Sequence, residues 1–223
     1  MDHVKIHKVV RSRRRTIALV VGSDATLTVR APLQTPMEYI EELVRRKLHW
    51  IKSKIAEAER RPPASRKRFE SGESFLYLGD PYRLQIVSNP DVLLTFKKGF
   101  ILARGHRDNA RELLMNWYKQ EAQRKISERV EWHARRFGLA VGTVRITDAQ
   151  KRWGSCSQNN NLNFSWRLIM APLRVVDYVV IHELAHTVER SHSRAFWRKV
   201  AMMCPTHRSG MEWLKKNEHL LQI

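Results

Sequence analysis

The stretch at residues 182–192 reads His182-Glu183-Leu184-Ala185-His186-Thr187-Val188-Glu189-Arg190-Ser191-His192. In a helix, residues four apart lie on one face, one turn from each other. His182 and His186 can therefore reach a single metal ion, and Glu183 beside the first of them can reach a water on it. This is the H-E-x-x-H arrangement of zinc hydrolases, in which the glutamate is the general base. A catalytic zinc keeps three protein ligands and an open position for water, so a third ligand is expected. His192 follows at short range.

Two ordinary helix histidines with a solvated glutamate are the bland alternative, and three features argue against it. The segment is predicted helical, at residues 175–186. It is apolar around much of its surface, so the polar triad would otherwise be buried without partners, at roughly 1–3 kcal/mol per unsatisfied group. A further histidine also lies close by in sequence.

Helix geometry narrows the choice of third ligand. In a straight helix Glu189 would stand about 10 Å along the axis from His182. Ligand atoms on one zinc are only about 4 Å apart, given bonds near ~2 Å. Glu189 is therefore excluded from a straight-helix site. His192 can return only if the helix ends between Thr187 and Ser191, where no Gly or Pro marks a break. The competing scheme takes Glu212 or Glu218 from a later helix. His207 is another candidate ligand or pocket-wall residue. Cys156 and Cys204 are read as small buried residues rather than ligands.

Working outward, residues 144–147 read as a strand. Residues 162–169 return as another after the polar turn Asn159-Asn160-Asn161. The intervening segment Lys151-Arg152-Trp153-Gly154-Ser155-Cys156-Ser157 makes this a hairpin just before the metal helix. Arg152, Trp153, Gly154, Ser155 and Cys156 are the expected substrate-facing residues. A long helix is indicated over residues 108–137, stopped by Gly138; His133 within it is read as a boundary residue. Ser193 can cap a helix over residues 194–203, and a last amphipathic helix spans about residues 210–221.

The first half is mostly short strands. Residues 17–21 and 26–29 flank the turn Gly22-Ser23-Asp24. Residues 74–78, 82–87, 92–96 and 100–103 follow after a basic, proline-containing linker at residues 60–68. One helix is expected between these groups, with Thr35 as N-cap, Pro36 at the first helical position and Glu38 completing a capping box. The basic run at residues 11–15 is read as an exposed turn or an anion-binding arm.

The chain has 223 residues and 43% hydrophobic residues, which places it among globular proteins and allows a proper core. Two cysteines give no disulfide framework and no C-x-x-C zinc ribbon. No apolar signal core opens the sequence and no stretch reaches membrane-spanning length, so a cytoplasmic setting is expected. The formal net charge of +19, from 41 basic and 22 acidic residues, favours anionic partners, including nucleic acid, or serves solubility.

Taken together, the motifs resemble the YgjP-like metallopeptidase domain family. The resemblance rests on Arg152-Trp153-Gly154-Ser155-Cys156-Ser157, Leu162-Asn163, Arg167-Leu168, Ala171-Pro172, residues 177–186, His192-Ser193 and Phe196-Trp197. Arg30-Ala31-Pro32, Trp50-Ile51 and Tyr77-Leu78-Gly79 extend it to the N-terminal region. It implies a zincin-like core related to SprT-like proteases, with His182, His186 and His192 holding one Zn2+ and Glu183 as base. SprT-like relatives act on proteins attached to DNA, which suits the basic charge.

The expected fold is α+β. A β-rich N-terminal half with one helix (residues 1–105) precedes a long helix, a β-hairpin and a zincin-like metal-binding helical core (residues 106–223). The expected function is zinc-dependent hydrolysis, as a metallopeptidase using a metal-bound water activated by Glu183. Nucleoside triphosphate hydrolysis is the rival chemistry. A nucleic-acid-binding protein with a structural zinc is the rival class.

Overall fold

A computed structural model describes residues 4–22, 24–60, 67–89 and 93–223. It divides into two compact units, Met1–Ser65 and Arg66–Ile223. The boundary expected at residue 105 falls inside the second unit, just after a strand that ends at Ala103.

In the first unit, β1 (Ile6–Ser12), β2 (Ala18–Val21) and β3 (Leu27–Pro32) form a sheet in the order β1-β3-β2. β1 runs parallel to β3, and β2 antiparallel. Leu27, Val29 and Ala31 alternate inward along β3, as a half-buried strand requires. They share a core with Ile40, Val44 and Ile51.

These last three belong to two helices rather than the one expected: α1 (Met37–Arg46) and α2 (Leu48–Glu59). Lys47 leaves helical geometry at φ −102, ψ 13. The break was invisible because the apolar positions continue across it, and both helices still deliver residues to the same core. The Thr35 cap is also corrected. Pro36 occupies the N-cap position and no side chain caps the helix. The Thr35 carbonyl instead accepts a 2.6 Å hydrogen bond from Arg11, which also donates to the carbonyls of Pro32 and Leu33. Arg11, in the basic run, thus pins the end of β1 to the loop after β3. Ser23 of the predicted turn and most of the 60–68 linker lie outside the described residues.

The second unit begins with β4 (Ser74–Tyr77), β5 (Asp80–Val87), β6 (Leu94–Phe96) and β7 (Phe100–Ala103), in the order β4-β5-β7-β6. Of the strand predicted at residues 92–96, Val92 lies outside the described residues. Helix α3 (Ala110–Phe137) follows and ends on Gly138, whose φ of 62 suits a residue without Cβ. A second sheet comprises β8 (Val144–Thr147), β9 (Gly154–Cys156) and β10 (Leu162–Ser165), in the order β8-β10-β9. The hairpin expected between residues 144–147 and 162–169 is corrected: β8 runs parallel to β10, the antiparallel pair is β9 with β10, and the second strand stops at Ser165, where a 3-10 turn (Trp166–Met170) takes over. The chain closes with α4 (Leu173–Ala185), α5 (Arg194–Met203) and α6 (His207–Asn217). This is the mixed α+β architecture expected. The main core runs from Phe75 and Phe100 through Leu114, Tyr118 and Ile126 of α3 to Val175, Val176 and Val180 of α4.

α3 braces α4 through one polar network. Arg129 donates to both carboxylate oxygens of Asp177, at 2.6 and 3.1 Å, and His133 lies 3.1 Å from the same group. His133 is buried, not a boundary residue. Burial alone would raise the Asp177 pKa, but the bonds from His133 and Arg129 outweigh it and hold the group below its ordinary value. A depressed folded-state pKa contributes stability above the unfolded value of about 3.9, lost as pH falls through the folded one. Asp177→Asn is therefore expected to cost about 1.5–3 kcal/mol at pH 7. The gap from wild type should narrow below about pH 3.9. Urea unfolding of both proteins across that range checks the sign.

Candidate metal centre

α4 follows Pro172, which stands at its N-cap. Its apolar surface is buried nearly all round, and it carries His182 and Glu183 in its last turns. The helix ends at Ala185, slightly before the predicted interval. Thr187 and Val188 close tightened turns onto the carbonyls of Leu184 and Ala185. No Gly or Pro is needed because side chains make the break. Thr187 Oγ1 donates to the Leu184 carbonyl at 2.8 Å, and His186 Nδ1 lies 3.0 Å from the Glu189 carbonyl. A side chain that takes a helix carbonyl competes with helix continuation. The chain then doubles back, and Ser193 caps α5 by accepting from the Phe196 amide at 3.2 Å.

This path brings His192 to the other two histidines. His192 Nε2 lies 3.1 Å from His182 Nε2 and 3.2 Å from His186 Nε2. The three residues form a group able to hold a metal ion, with ligand atoms all within 4.8 Å of one another.

The donor chemistry fits such an ion. A carbonyl only accepts, so His186 Nδ1 must carry the proton, which leaves an Nε2 lone pair facing the centre. Without a cation, one N–H on His192 would have to serve both neighbours. Zn–N bonds of ~2.0–2.1 Å at tetrahedral angles place nitrogens about 3.3 Å apart, close to the spacing found. Phe196 packs under the cluster, with its ring 4.4 Å from His186, 4.9 Å from His182 and 4.8 Å from His192. Burial and the two neighbouring imidazoles lower the His182 pKa to about 4, so its ring is neutral at pH 7, as a ligand must be.

The other sequence candidates separate cleanly. Glu189 contributes its carbonyl to His186, while its carboxylate accepts from Ser191 at 3.0 Å. Glu212 is exposed and outside the cluster. Glu218 lines a cavity beside Glu183 but is not among the clustered groups. His207 opens α6, with Nδ1 3.0 Å from the Cys204 carbonyl and its ring 6.3 Å from Trp197. Cys156 lies on β9, and burial pushes its thiol pKa up despite Arg190 nearby. Cys204 is buried.

Glu183 is 5% exposed and stands against β9. A Cβ placed on Gly154 would come within 2.6 Å of Glu183 Cγ and Oε1, so a larger residue here would force the glutamate side chain or β9 to shift. Burial pushes the Glu183 pKa up to about 7, while the charge of Arg152 works in the opposite direction. Trp153 and Gly154 line the cavity beside Glu183 and His182. Ser155 sits within β9, its hydroxyl accepting from Asn163 of β10 at 3.4 Å.

Arg190, which the sequence reading passed over, joins the two halves of the site. From the loop between His186 and His192 it donates to the carbonyls of Ser157 (2.7 Å) and Gln158 (3.0 Å), to Asn160 Oδ1 (2.6 Å) and to Cys156 Sγ (3.3 Å). One guanidinium thus fixes the ligand loop to the β9–β10 turn. Its only sequence signal is a basic residue close to an asparagine-rich turn that it meets in space. Arg190→Ala is expected to weaken metal binding about 10- to 100-fold, as lost support of a ligand usually does. Arg190→Lys should restore little, since an ammonium lacks the planar fork. Competition with a chromogenic chelator measures both.

The family model described as YgjP-like, metallopeptidase domain, matches residues 15–217. A search of curated proteins finds no match. Among solved structures, the crystal structure of the metallopeptidase zymogen of Pyrococcus abyssi abylysin is similar at 21% identity and a TM-score of 0.38. That match covers 42% of this chain and 95% of that one. The chain belongs to the YgjP-like metallopeptidase domain family, and its activity is of the metallopeptidase type.

Proposed function

We propose that this protein is a zinc-dependent peptidase that hydrolyses extended polypeptide segments, with Glu183 as its general base. The observation that carries the reading is the joint placement of three convergent imidazoles, a buried glutamate and a strand edge. His182, His186 and His192 would hold the ion. When bound, zinc acidifies a water at the open position and polarises the substrate carbonyl.

The chain's own residues do the rest. β9 is the outer strand of its sheet, paired only to β10 among the described residues, so its second edge is available for strand addition. A peptide paired there would pass Gly154 and therefore Glu183. The Glu183 carboxylate takes a proton from the attacking water and returns it to the leaving amine as the C–N bond breaks. The close fit against Gly154 limits where that carboxylate can swing.

Parallel assays of zinc-loaded protein on an unfolded polypeptide and on nucleoside triphosphates test the reading. Peptide cleavage without phosphate release is expected. Phosphate release without peptide cleavage would overturn it in favour of phosphoanhydride hydrolysis. If neither occurs and nucleic acid binds with a steep salt dependence, the structural-zinc alternative replaces it.

A further inference from the structure

We propose that the cavity between α4 and α6 receives one large apolar side chain of the substrate, immediately beside the bond to be cut. This rests on the peptidase reading above and specifies its substrate class. The cavity measures ≈ 390 Å³. α4 contributes Tyr178 and Val179, α6 contributes Met211 and Leu214, and Trp153 closes it from the segment before β9. The same α4 face carries His182 and Glu183 into its wall, so an occupant lies next to the reacting groups.

Three observations make this a binding pocket rather than a packing gap. First, its size is in the range of small-molecule sites, which suits one aromatic or long aliphatic side chain with its adjoining backbone. Second, its walls are apolar where they are buried: Tyr178, Val179 and Leu214 are 7%, 3% and 6% exposed. The charged residues Lys215 and Glu218 also line the cavity but are exposed, so their charged groups lie toward the solvent side rather than among the buried apolar walls. Third, Met211 stands in the wall at 44% exposure, a large apolar side chain left in water that an apolar occupant would cover. Gly210 fixes the helix spacing that frames this space. A Cβ there would lie 2.8 Å from Tyr178 Cβ, so α6 approaches α4 as closely as backbone allows.

A strand paired to β9 runs past Gly154 with its side chains alternating, and one of them faces the cavity. Filling it removes apolar surface from water on both partners. Rate discrimination over a glycine at that position should be about 10- to 100-fold in kcat/KM.

The test is cleavage of a randomised peptide library by the zinc-loaded full chain, read by mass spectrometry, for wild type and Met211→Asp. Met211 is partly exposed, so the variant is expected to fold. Wild type should show Phe, Leu, Met or Trp enriched at one position flanking the cut. Met211→Asp should move that preference toward Lys and Arg, a gain that general damage cannot produce. Binding of N-acetylphenylalaninamide, followed by NMR on metal-free protein, should be lost in the variant, while N-acetylglycinamide binds neither. Cleavage with no preference at either flanking position, unchanged by Met211→Asp, overturns the pocket assignment and leaves the peptidase reading standing. If no peptide in the library is cut, the peptidase reading falls and this assignment falls with it.

Discussion

Glu183→Gln is expected to lower polypeptide hydrolysis by about 10²- to 10⁴-fold, the usual contribution of a positioned general base, and to leave metal content unchanged. Glutamine keeps the shape and hydrogen-bonding reach of glutamate but cannot accept the proton. The side chain is 5% exposed and lies against Gly154, so an isostere should occupy the same place. The clustered imidazoles of His182, His186 and His192 do not include the carboxylate, so the candidate ligands are left unchanged. Single-turnover kinetics together with metal analysis separates the two effects. Activity within tenfold of wild type would remove Glu183 from the mechanism.

The second large effect is expected one strand away. Gly154→Val should reduce kcat about 100-fold, because a misplacement of roughly 1 Å in a reacting group can cost that much. It should also cost about 1–3 kcal/mol through overpacking. A Cβ at this position would lie 2.6 Å from Glu183 Oε1 and 2.8 Å from its Cδ, so either the carboxylate or β9 must move. Ser155→Ala, on the same strand, provides the control, since its hydroxyl makes only a 3.4 Å contact with Asn163. Thermal unfolding with kcat on the residual folded protein gives both numbers. A stable Gly154→Val enzyme with unchanged kcat would show that Glu183 does not need its present position.

Much of this site could be read from spacing. The four-residue interval between His182 and His186 is a property of the helix itself, and Ser193 announces the following helix by residue type alone. The requirement for a break before His192 also followed from helix rise. What produces the break did not follow. Thr187 acts through a carbonyl within its own turn, and Arg190 acts through a hairpin about thirty residues earlier in the chain. The same limit explains His133. Its partner Asp177 lies 44 residues away, and helical periodicity carries no information about which face meets which. At Lys47 the apolar pattern was continuous and the backbone was not. The cavity walls Met211 and Leu214 read as an ordinary amphipathic stripe, because a pocket and a core require the same residue types.

The Arg190 contacts also define what could be moved to another scaffold. Grafting only residues 182–192 onto a host helix would carry the imidazoles and Glu183. It would leave behind the carbonyls of Ser157 and Gln158 that anchor the returning loop, and the Phe196 ring that props the histidines. The loop would then have to order itself unaided, and its entropy would count against metal binding. A graft would therefore have to reach at least from Trp153 to Trp197, with the hairpin as an integral part of the candidate metal site.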